Sequence, residues 1–184
     1  MYALALTSLL TLAAAAPTAS TSSTTCSSGS TSSFRWTIAD FTYTAGYLFT
    51  TPAHQVSSGS VAFNLTNAAV GETVSCTAYS TQLQDFFYGN FNYNCTASDD
   101  STTVTSFAFS RPSGQLNVNQ TWTCDEGEDP VEFIGVGAAN LTLDCTESNY
   151  QNPDWQQGET YSDRIIDCEP VSITLKPSRI TATA

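Results

Sequence analysis

The sequence predicts an all-β protein whose single domain is an antiparallel β-barrel or sandwich stabilised by disulfides. Apolar and polar residues alternate over many short runs, which is the two-residue period of a half-buried strand. Turn-forming residues separate these runs at intervals of about 8 to 12 residues, and no longer segment keeps the spacing of an amphipathic helix. The chain has 184 residues, of which 41% are hydrophobic, so one domain can bury a sizeable core.

The N-terminal part of the chain has the features of a secretory leader followed by a flexible arm. Residues 1–16 read MYALALTSLLTLAAAA, an uncharged apolar run closed by small residues, which is typical of a signal peptide and too short to span a bilayer. Residues 17–33 read PTASTSSTTCSSGSTSS, and this Ser/Thr-rich segment has too little apolar surface to offset the entropy of ordering its backbone. We therefore expect a secreted, extracellular protein whose folded domain spans residues 34–184.

The predicted strands follow one another along this domain. On each strand the apolar side chains share one phase, so they point to one face of a sheet. The strand sets are Phe34, Trp36 and Ile38; Val61, Phe63 and Leu65; Val74, Cys76 and Ala78; Phe91, Tyr93 and Cys95; Phe107 and Phe109; Leu116, Val118, Trp122 and Cys124; Leu141, Leu143 and Cys145; and Val171, Ile173 and Leu175. Turn-forming residues stand at 58–59, 71, 99–100, 112–114 and 125–130.

The charge of the chain excludes two classes of partner. The 17 acidic and 5 basic residues give a formal net charge of −12. Nucleic acids and anionic membrane surfaces attract positively charged proteins, so neither is an expected partner.

Four Asn-x-Ser/Thr sequons occur in the domain, at Asn64, Asn94, Asn119 and Asn140. Each Asn falls on the strand phase opposite to the apolar residues, so we expect its side chain to face solvent. In a secreted chain this pattern predicts glycosylation at two or more of the four.

The six cysteines are even in number, and a secreted chain is expected to oxidise them. A metal site is the competing interpretation. No Cys-x-x-Cys spacing occurs, and the one histidine, His54, is isolated in the sequence, so we expect neither a metal nor another cofactor. The number of cysteines allows many connectivities, and their spacing alone does not choose among them.

Several segments resemble the secreted fungal family of the Alternaria major allergen. They are FRWTIADF at 34–41, GSVAFNLTN at 59–67, VSCTA at 74–78, NQTWTCD at 119–125 and DCEPVSITL at 167–175. The resemblance covers nearly all of 34–176 and implies a compact β-barrel or sandwich without known enzymatic activity. It also implies a role as an allergen, elicitor or effector at the plant surface.

The same resemblance implies particular disulfides. Two core bonds would join Cys76 with Cys95 and Cys145 with Cys168. Cys26 matches the N-terminal cysteine that links two chains in the family's covalent dimer, whereas Cys124 is an additional thiol. The even count slightly favours a bond between Cys26 and Cys124 within one chain, and a homodimer linked through Cys26 is the alternative.

An enzyme is the less expected function. Serine catalysis normally requires a histidine base, and the chain has neither a Gly-x-Ser-x-Gly motif nor a histidine other than His54. A glycoside hydrolase needs only two carboxylates, so acidic residues keep that alternative open. The candidates are Asp85, Glu132, Asp144 and the acidic turn of Asp125, Glu126, Glu128 and Asp129. This turn lacks the spaced ligands of a calcium loop and is expected to be a solvated loop.

Two aromatic segments predict a binding surface. Residues 86–93 contain five aromatic side chains, more than one face of a strand can bury, and residues 149–161 add three among Asn, Gln and Pro. The candidate binding residues are Phe86, Tyr88, Tyr150, Trp155 and Tyr161. The alternative is that Phe87, Phe91 and Tyr93 belong to the core and that Trp155 only covers one end of the domain.

We therefore expect a secreted fungal protein that acts by binding at the interface with a host plant. Its partner would be a host plant protein or a small aromatic or glycan ligand. The alternative function is binding to the fungal cell wall or another glycan through the same aromatic residues, and a glycoside hydrolase is less expected still.

Overall fold

The computed structural model describes residues 25–31, 33–99, 101–126 and 129–184. These residues form two antiparallel sheets that pack face to face, so the prediction of an all-β fold is confirmed, and the architecture is a sandwich rather than a closed barrel. One short helix, α1 (Cys26–Gly29), precedes the strands. No helix among the described residues has both the length and the apolar character needed to cross a membrane.

The first sheet has six strands. Its order is β3-β2-β1-β9-β8, and β10 pairs with the beginning of β1. The strands are β1 (Trp36–Thr51), β2 (His54–Asn67), β3 (Glu72–Ser80), β8 (Cys145–Gln151), β9 (Ser162–Cys168) and β10 (Val171–Leu175). Strand β1 is the longest and pairs with β2, β9 and β10, so it organises the sheet.

The second sheet has five strands in the order β11-β7-β6-β5-β4. The strands are β4 (Tyr93–Asn94), β5 (Val104–Ser110), β6 (Gln115–Cys124), β7 (Val131–Asn140) and β11 (Arg179–Thr183). Every pairing is antiparallel between neighbours, which suits a chain whose strands are joined mainly by short turns.

Aromatic rings from both sheets fill the space between them. The rings of Phe63 on β2 and Phe107 on β5 lie 4.9 Å apart, and those of Phe41 on β1 and Phe109 on β5 lie 5.0 Å apart. All four side chains are buried, as period-two alternation predicts for three of them. These contacts hold the two sheets face to face.

A buried polar network also joins the sheets. The Gln120 side chain on β6 is buried, and its Oε1 accepts hydrogen bonds from Trp36 Nε1 at 2.7 Å and from Asn67 Nδ2 at 2.8 Å. Its Nε2 donates to Thr105 Oγ1 at 2.9 Å. The amide of Gln120 therefore has partners on both of its polar atoms, and two of those partners belong to the opposite sheet.

Three disulfides are present. Cys145 and Cys168 are paired positions of β8 and β9, whereas Cys76 on β3 bonds with Cys95, which follows β4 of the other sheet. These are the two bonds that the family resemblance implies. Cys26 bonds with Cys124 in the same chain, so a covalent dimer through Cys26 would require this bond to be absent.

The end of the segment predicted as a flexible arm, 17–33, is attached to the domain. Besides the disulfide of Cys26, the hydroxyl of the buried Ser30 accepts a hydrogen bond from Trp122 Nε1 at 2.9 Å. The expectation of flexibility is therefore wrong for residues 25–31, because a covalent bond and a buried hydrogen bond offset the entropy of ordering them. The leader at 1–16 and the arm up to residue 24 lie outside the described residues.

Candidate functional site

A cleft with a volume of about 920 Å³ lies beside the first sheet. Its walls are inner-face residues of β1, β8 and β9, the loop at 83–85 and the turn at 111–112. We call it the arginine cleft because Arg111 and Arg164 line it together with Tyr43 and Tyr47.

Strand β1 supplies the two tyrosines. They stand four residues apart, so both side chains point to the same face of the sheet. The Tyr43 hydroxyl donates to the Asp85 carbonyl at 3.2 Å, and the Tyr47 hydroxyl donates to the Gln84 carbonyl at 2.5 Å. Both tyrosines therefore fasten the loop at 83–85 against β1.

Strand β9 places Arg164 over the second tyrosine. Tyr47 and Arg164 are directly opposite in the β1–β9 register, and the guanidinium carbon lies 5.0 Å from the Tyr47 ring centroid. Arg164 Nη2 also donates to Glu147 Oε2 at 2.7 Å. This bond, together with one from Asn149, lowers the pKa of Glu147 to about 2. The Arg164 charge is thus matched by a carboxylate that stays ionised.

Arg111 lies over the first tyrosine. Its backbone N–H donates to the Phe87 carbonyl at 2.9 Å, and its guanidinium carbon lies 5.0 Å from the Tyr43 ring centroid. Its Nη2 contacts Cys145 Sγ at 3.5 Å. Among the described residues, no carboxylate oxygen lies within 4.0 Å of its guanidinium nitrogens. Arg111 therefore presents a cation without an ion-pair partner to the cleft.

The electrostatic character of the cleft differs from that of the whole chain. Two of the five basic residues of a chain with a net charge of −12 line this one site. Burial raises the pKa of Tyr43 to about 12, with Tyr47 adding to the rise and Arg111 opposing it. Tyr43 is therefore neutral at physiological pH and acts as a hydrogen-bond donor and a ring surface.

The first aromatic segment, residues 86–93, helps to support the cleft, and it does not present all of its rings to the cleft. Tyr88 is 41% exposed, and its hydroxyl accepts hydrogen bonds from the backbone N–H groups of Gln84 at 2.6 Å and Asp85 at 3.0 Å. The assignment of Phe86 to the binding surface is wrong. Its side chain is fully buried, because the left-handed backbone at φ 66° takes the chain through a turn in which the ring packs against Gly59 and Tyr47.

The alternative that Phe87, Phe91 and Tyr93 all belong to the core is correct only in part. Phe87 is buried and Tyr93 is half-buried, whereas Phe91 is 54% exposed. The apolar phase around residue 91 predicted a longer strand, but β4 contains only Tyr93–Asn94.

The second aromatic segment forms the β8–β9 hairpin beside the cleft. Trp155 Nε1 donates to the Glu159 carbonyl at 2.9 Å, and the Trp155 ring meets the Tyr161 ring edge-on at 6.0 Å. These two aromatics therefore hold the hairpin loop, whereas Tyr150 is 52% exposed. Tyr150 lines a smaller groove of about 380 Å³, which shares Arg164 with the arginine cleft.

The candidate carboxylates are scattered. Asp85 lines the cleft, whereas Glu132, Asp144, Asp125 and Asp129 are exposed at other positions, and Glu128 lies outside the described residues. Glu126 accepts hydrogen bonds from the backbone N–H groups of Cys26 and Ser27, so it caps α1. Desolvation opposes these bonds, and the net effect lowers the pKa of Glu126. The described residues contain no group of three or more side chains suited to hold a metal ion.

The four sequon asparagines, Asn64, Asn94, Asn119 and Asn140, are all exposed. His54 is exposed as well, and its Nδ1 lies 2.8 Å from Thr50 Oγ1. A glycan at any of the four positions would therefore extend into solvent, and the histidine is separate from the cleft lining.

Sequence reasoning missed the residues that define the cleft: Tyr43, Tyr47, Arg111, Glu147 and Arg164. One feature of the sequence could have pointed to the arginines. Basic residues are rare in this acidic chain, so each arginine is a candidate for a specific role. That signal does not show that β1 pairs with β9, which is what brings Arg164 to Tyr47.

Comparison with known proteins identifies the family. A search of curated proteins and a search of solved structures returned no match. The family model described as Alternaria alternata allergen 1 matches residues 38–168, a range that contains every residue of the arginine cleft. The match extends over well more than half of the chain and agrees with the resemblance of its strand motifs. This chain therefore belongs to the Alternaria alternata allergen 1 family.

Proposed function

We propose that this allergen-family protein is secreted and acts by binding, without catalysis, at the interface with a host plant. We further propose that the arginine cleft is its binding site. The observation that carries the proposal is the pair of arginine–tyrosine contacts, each at 5.0 Å, in a single cleft of a strongly acidic protein. Ligand sites in proteins combine such ring surfaces with a few convergent polar groups.

Secretion is supported by the disulfides and by the N-terminal sequence. Three disulfides join all six cysteines, and such bonds persist in oxidising compartments. The run of apolar residues at 1–16 supplies the expected leader.

A role without catalysis is supported by the ionisation of Glu147. Glycoside hydrolysis requires one carboxyl group to remain protonated as a general acid. Glu147 cannot serve, because its bond with Arg164 lowers its pKa to about 2. Asp85 is then the one other carboxylate in the cleft lining, and the remaining candidates lie elsewhere.

The proposal is tested by affinity capture from plant apoplastic fluid with the immobilised secreted protein. Three forms are compared: the wild type, Arg111→Gln and the control Arg179→Gln, whose arginine lies on β11 outside the arginine cleft. We expect a host component that the wild type and Arg179→Gln retain and that Arg111→Gln loses. Retention of every captured component by Arg111→Gln would contradict the assignment of the cleft.

A second candidate function, binding to fungal wall glycan, is favoured by Tyr150. Its ring is exposed on the edge strand β8, and Tyr150 lines the smaller groove together with its sequence neighbours Asn149 and Gln151. Rings and amides of this kind suit stacking on sugars and hydrogen bonding to their hydroxyls. Retention on insoluble fungal wall that Tyr150→Ala abolishes and Arg111→Gln preserves would establish this function instead.

A further inference from the structure

We propose that the arginine cleft selects a small, planar aromatic monocarboxylate, with the ligand carboxylate bound to Arg111 and a ring hydroxyl bound to Asp85. This inference rests on the proposed function, because it names the class of ligand for the same cleft. Charge, ring geometry and the placement of hydrogen-bond acceptors each contribute to it.

The charge of the ligand follows from Arg111. Arg164 already has a carboxylate partner in Glu147 at 2.7 Å, whereas the Arg111 guanidinium contacts the Tyr43 ring and a disulfide sulfur. A guanidinium presents parallel N–H donors that match one carboxylate. An anionic group would therefore complete the Arg111 site.

A single negative charge fits better than several. Asp85 and Glu147 line the same cleft, and the chain as a whole carries a net charge of −12. A polyanion would be repelled by this field and by both carboxylates, whereas a monocarboxylate needs only the contact with Arg111.

The flat shape of the ligand follows from the arrangement of rings and guanidiniums. Each arginine covers one face of a tyrosine ring, so the tyrosines do not offer both faces for stacking on a sugar. Planar guanidiniums themselves stack on conjugated rings, and Phe49, Leu83 and Ile166 add apolar surface to the lining. A ligand with a conjugated ring can stack on a guanidinium and also pack against the apolar side chains.

Asp85 supplies an acceptor for a hydroxyl group. Its backbone is fixed by the Tyr43 and Tyr88 hydroxyls, and none of the described arginines forms an ion pair with its carboxylate within 4.0 Å. The carboxylate oxygens are therefore open to a donor, and a ring hydroxyl meets that need without adding charge.

Isothermal titration calorimetry with 4-hydroxycinnamate tests this inference. The comparison probes are its methyl ester, which lacks the charge, and galacturonate, which carries a carboxylate on a non-planar ring. We expect 4-hydroxycinnamate to bind and each comparison probe to bind at least about tenfold more weakly, because the ester lacks the charged pair with Arg111 and galacturonate lacks the planar ring. Equal binding of the ester or of galacturonate, or no binding of 4-hydroxycinnamate, would overturn the inference.

Variants locate the contact. Arg111→Gln should weaken 4-hydroxycinnamate at least about tenfold, Arg111→Lys should weaken it less, and Arg179→Gln should leave it unchanged. An unchanged affinity in Arg111→Gln, measured on a variant with a wild-type melting curve, would also overturn the inference. If the probes fail while capture of a host component still depends on Arg111, the class of ligand is wrong and the proposed function stands. If 4-hydroxycinnamate binds but the capture of no host component depends on Arg111, the class of ligand is supported and the proposed function is wrong.

Discussion

At the scale of single residues, the contacts of Glu147 and Gln120 show how neighbouring groups decide what a side chain does. Glu147 is exposed, yet its hydrogen bonds with Arg164 and Asn149 stabilise the ionised form of its carboxyl group. Gln120 is a polar residue in the apolar phase of β6, and its hydrogen bonds to Trp36, Asn67 and Thr105 make that position favourable. Each arrangement predicts a measurable effect.

Glu147 should keep its charge at unusually low pH. Because its pKa is lowered to about 2 in the folded protein, its pair with Arg164 is fully formed above the ordinary value of 4.5 and is lost only as the pH falls through about 2. Carbon-13 NMR of the Glu147 carboxyl group should show a midpoint near 2. Arg164→Gln should return the midpoint toward 4.5, and a wild-type midpoint near 4.5 would show that the pair does not form in solution.

Replacing Gln120 should destabilise the sandwich. Gln120→Leu leaves Trp36 Nε1 and Asn67 Nδ2 as buried donors without their acceptor, and we expect the free energy of unfolding to fall by about 2 to 4 kcal/mol. Urea unfolding measures the change. Gln115→Ala, at an exposed position of the same strand, should stay within about 0.5 kcal/mol of the wild type. A similar small effect for Gln120→Leu would mean that the network contributes little.

At the scale of elements, two attachments hold the turn beside the arginine cleft and the N-terminal segment against the sheets. The turn containing Phe86 reaches the first sheet at Gly59, and α1 reaches the second sheet through the Cys26–Cys124 bond. Each attachment joins two segments that are far apart in the sequence and are not paired strands. Strand alternation alone therefore cannot predict either attachment.

A methyl group at Gly59 should displace the Phe86 turn. A Cβ there would lie 2.8 Å from Phe86 Cδ2, whereas a Cβ at Gly46 on the neighbouring strand would meet nothing within 4 Å. We expect Gly59→Ala to lower the free energy of unfolding by about 1 to 3 kcal/mol and Gly46→Ala to change it by less than about 0.5 kcal/mol. Equal unfolding midpoints for the two variants would show that the Phe86 ring does not pack as described.

The Cys26–Cys124 bond should contribute strongly to stability. The two cysteines are 98 residues apart, and a loop of that length corresponds to about 4.7 kcal/mol in the chain-entropy account. Cys26→Ala/Cys124→Ala should lose about that amount in urea unfolding. A peptide map of the wild type under non-reducing conditions should join Cys26 to Cys124, and a map that joins Cys26 to Cys26 of a second chain would contradict the intrachain bond.

At the scale of the whole molecule, strand alternation was sufficient to predict the fold class but not the site. The buried sets on β2 and β3 follow the period-two pattern, so their core positions were predictable, whereas on β1 the phase shifts between Ile38 and Phe41. Strand β8 reads CTESNYQ, and because it is an exposed edge strand it has no apolar face to detect. Without β8 and the β1–β9 register, the sequence cannot bring Glu147, Arg164 and Tyr47 together.

Arg111 and Arg164 line one cleft with tyrosine rings, which we propose as the binding site. Proton–nitrogen NMR of the arginine side chains tests this most directly, because the chain has few arginines and each gives a resolvable Nε–Hε signal. We expect ring currents to shift the signals of Arg111 and Arg164 away from that of Arg179, and only the former two to move when an apoplastic ligand fraction is added. Unshifted signals for both, or movement confined to Arg179, would show that the two arginines do not form the proposed binding site.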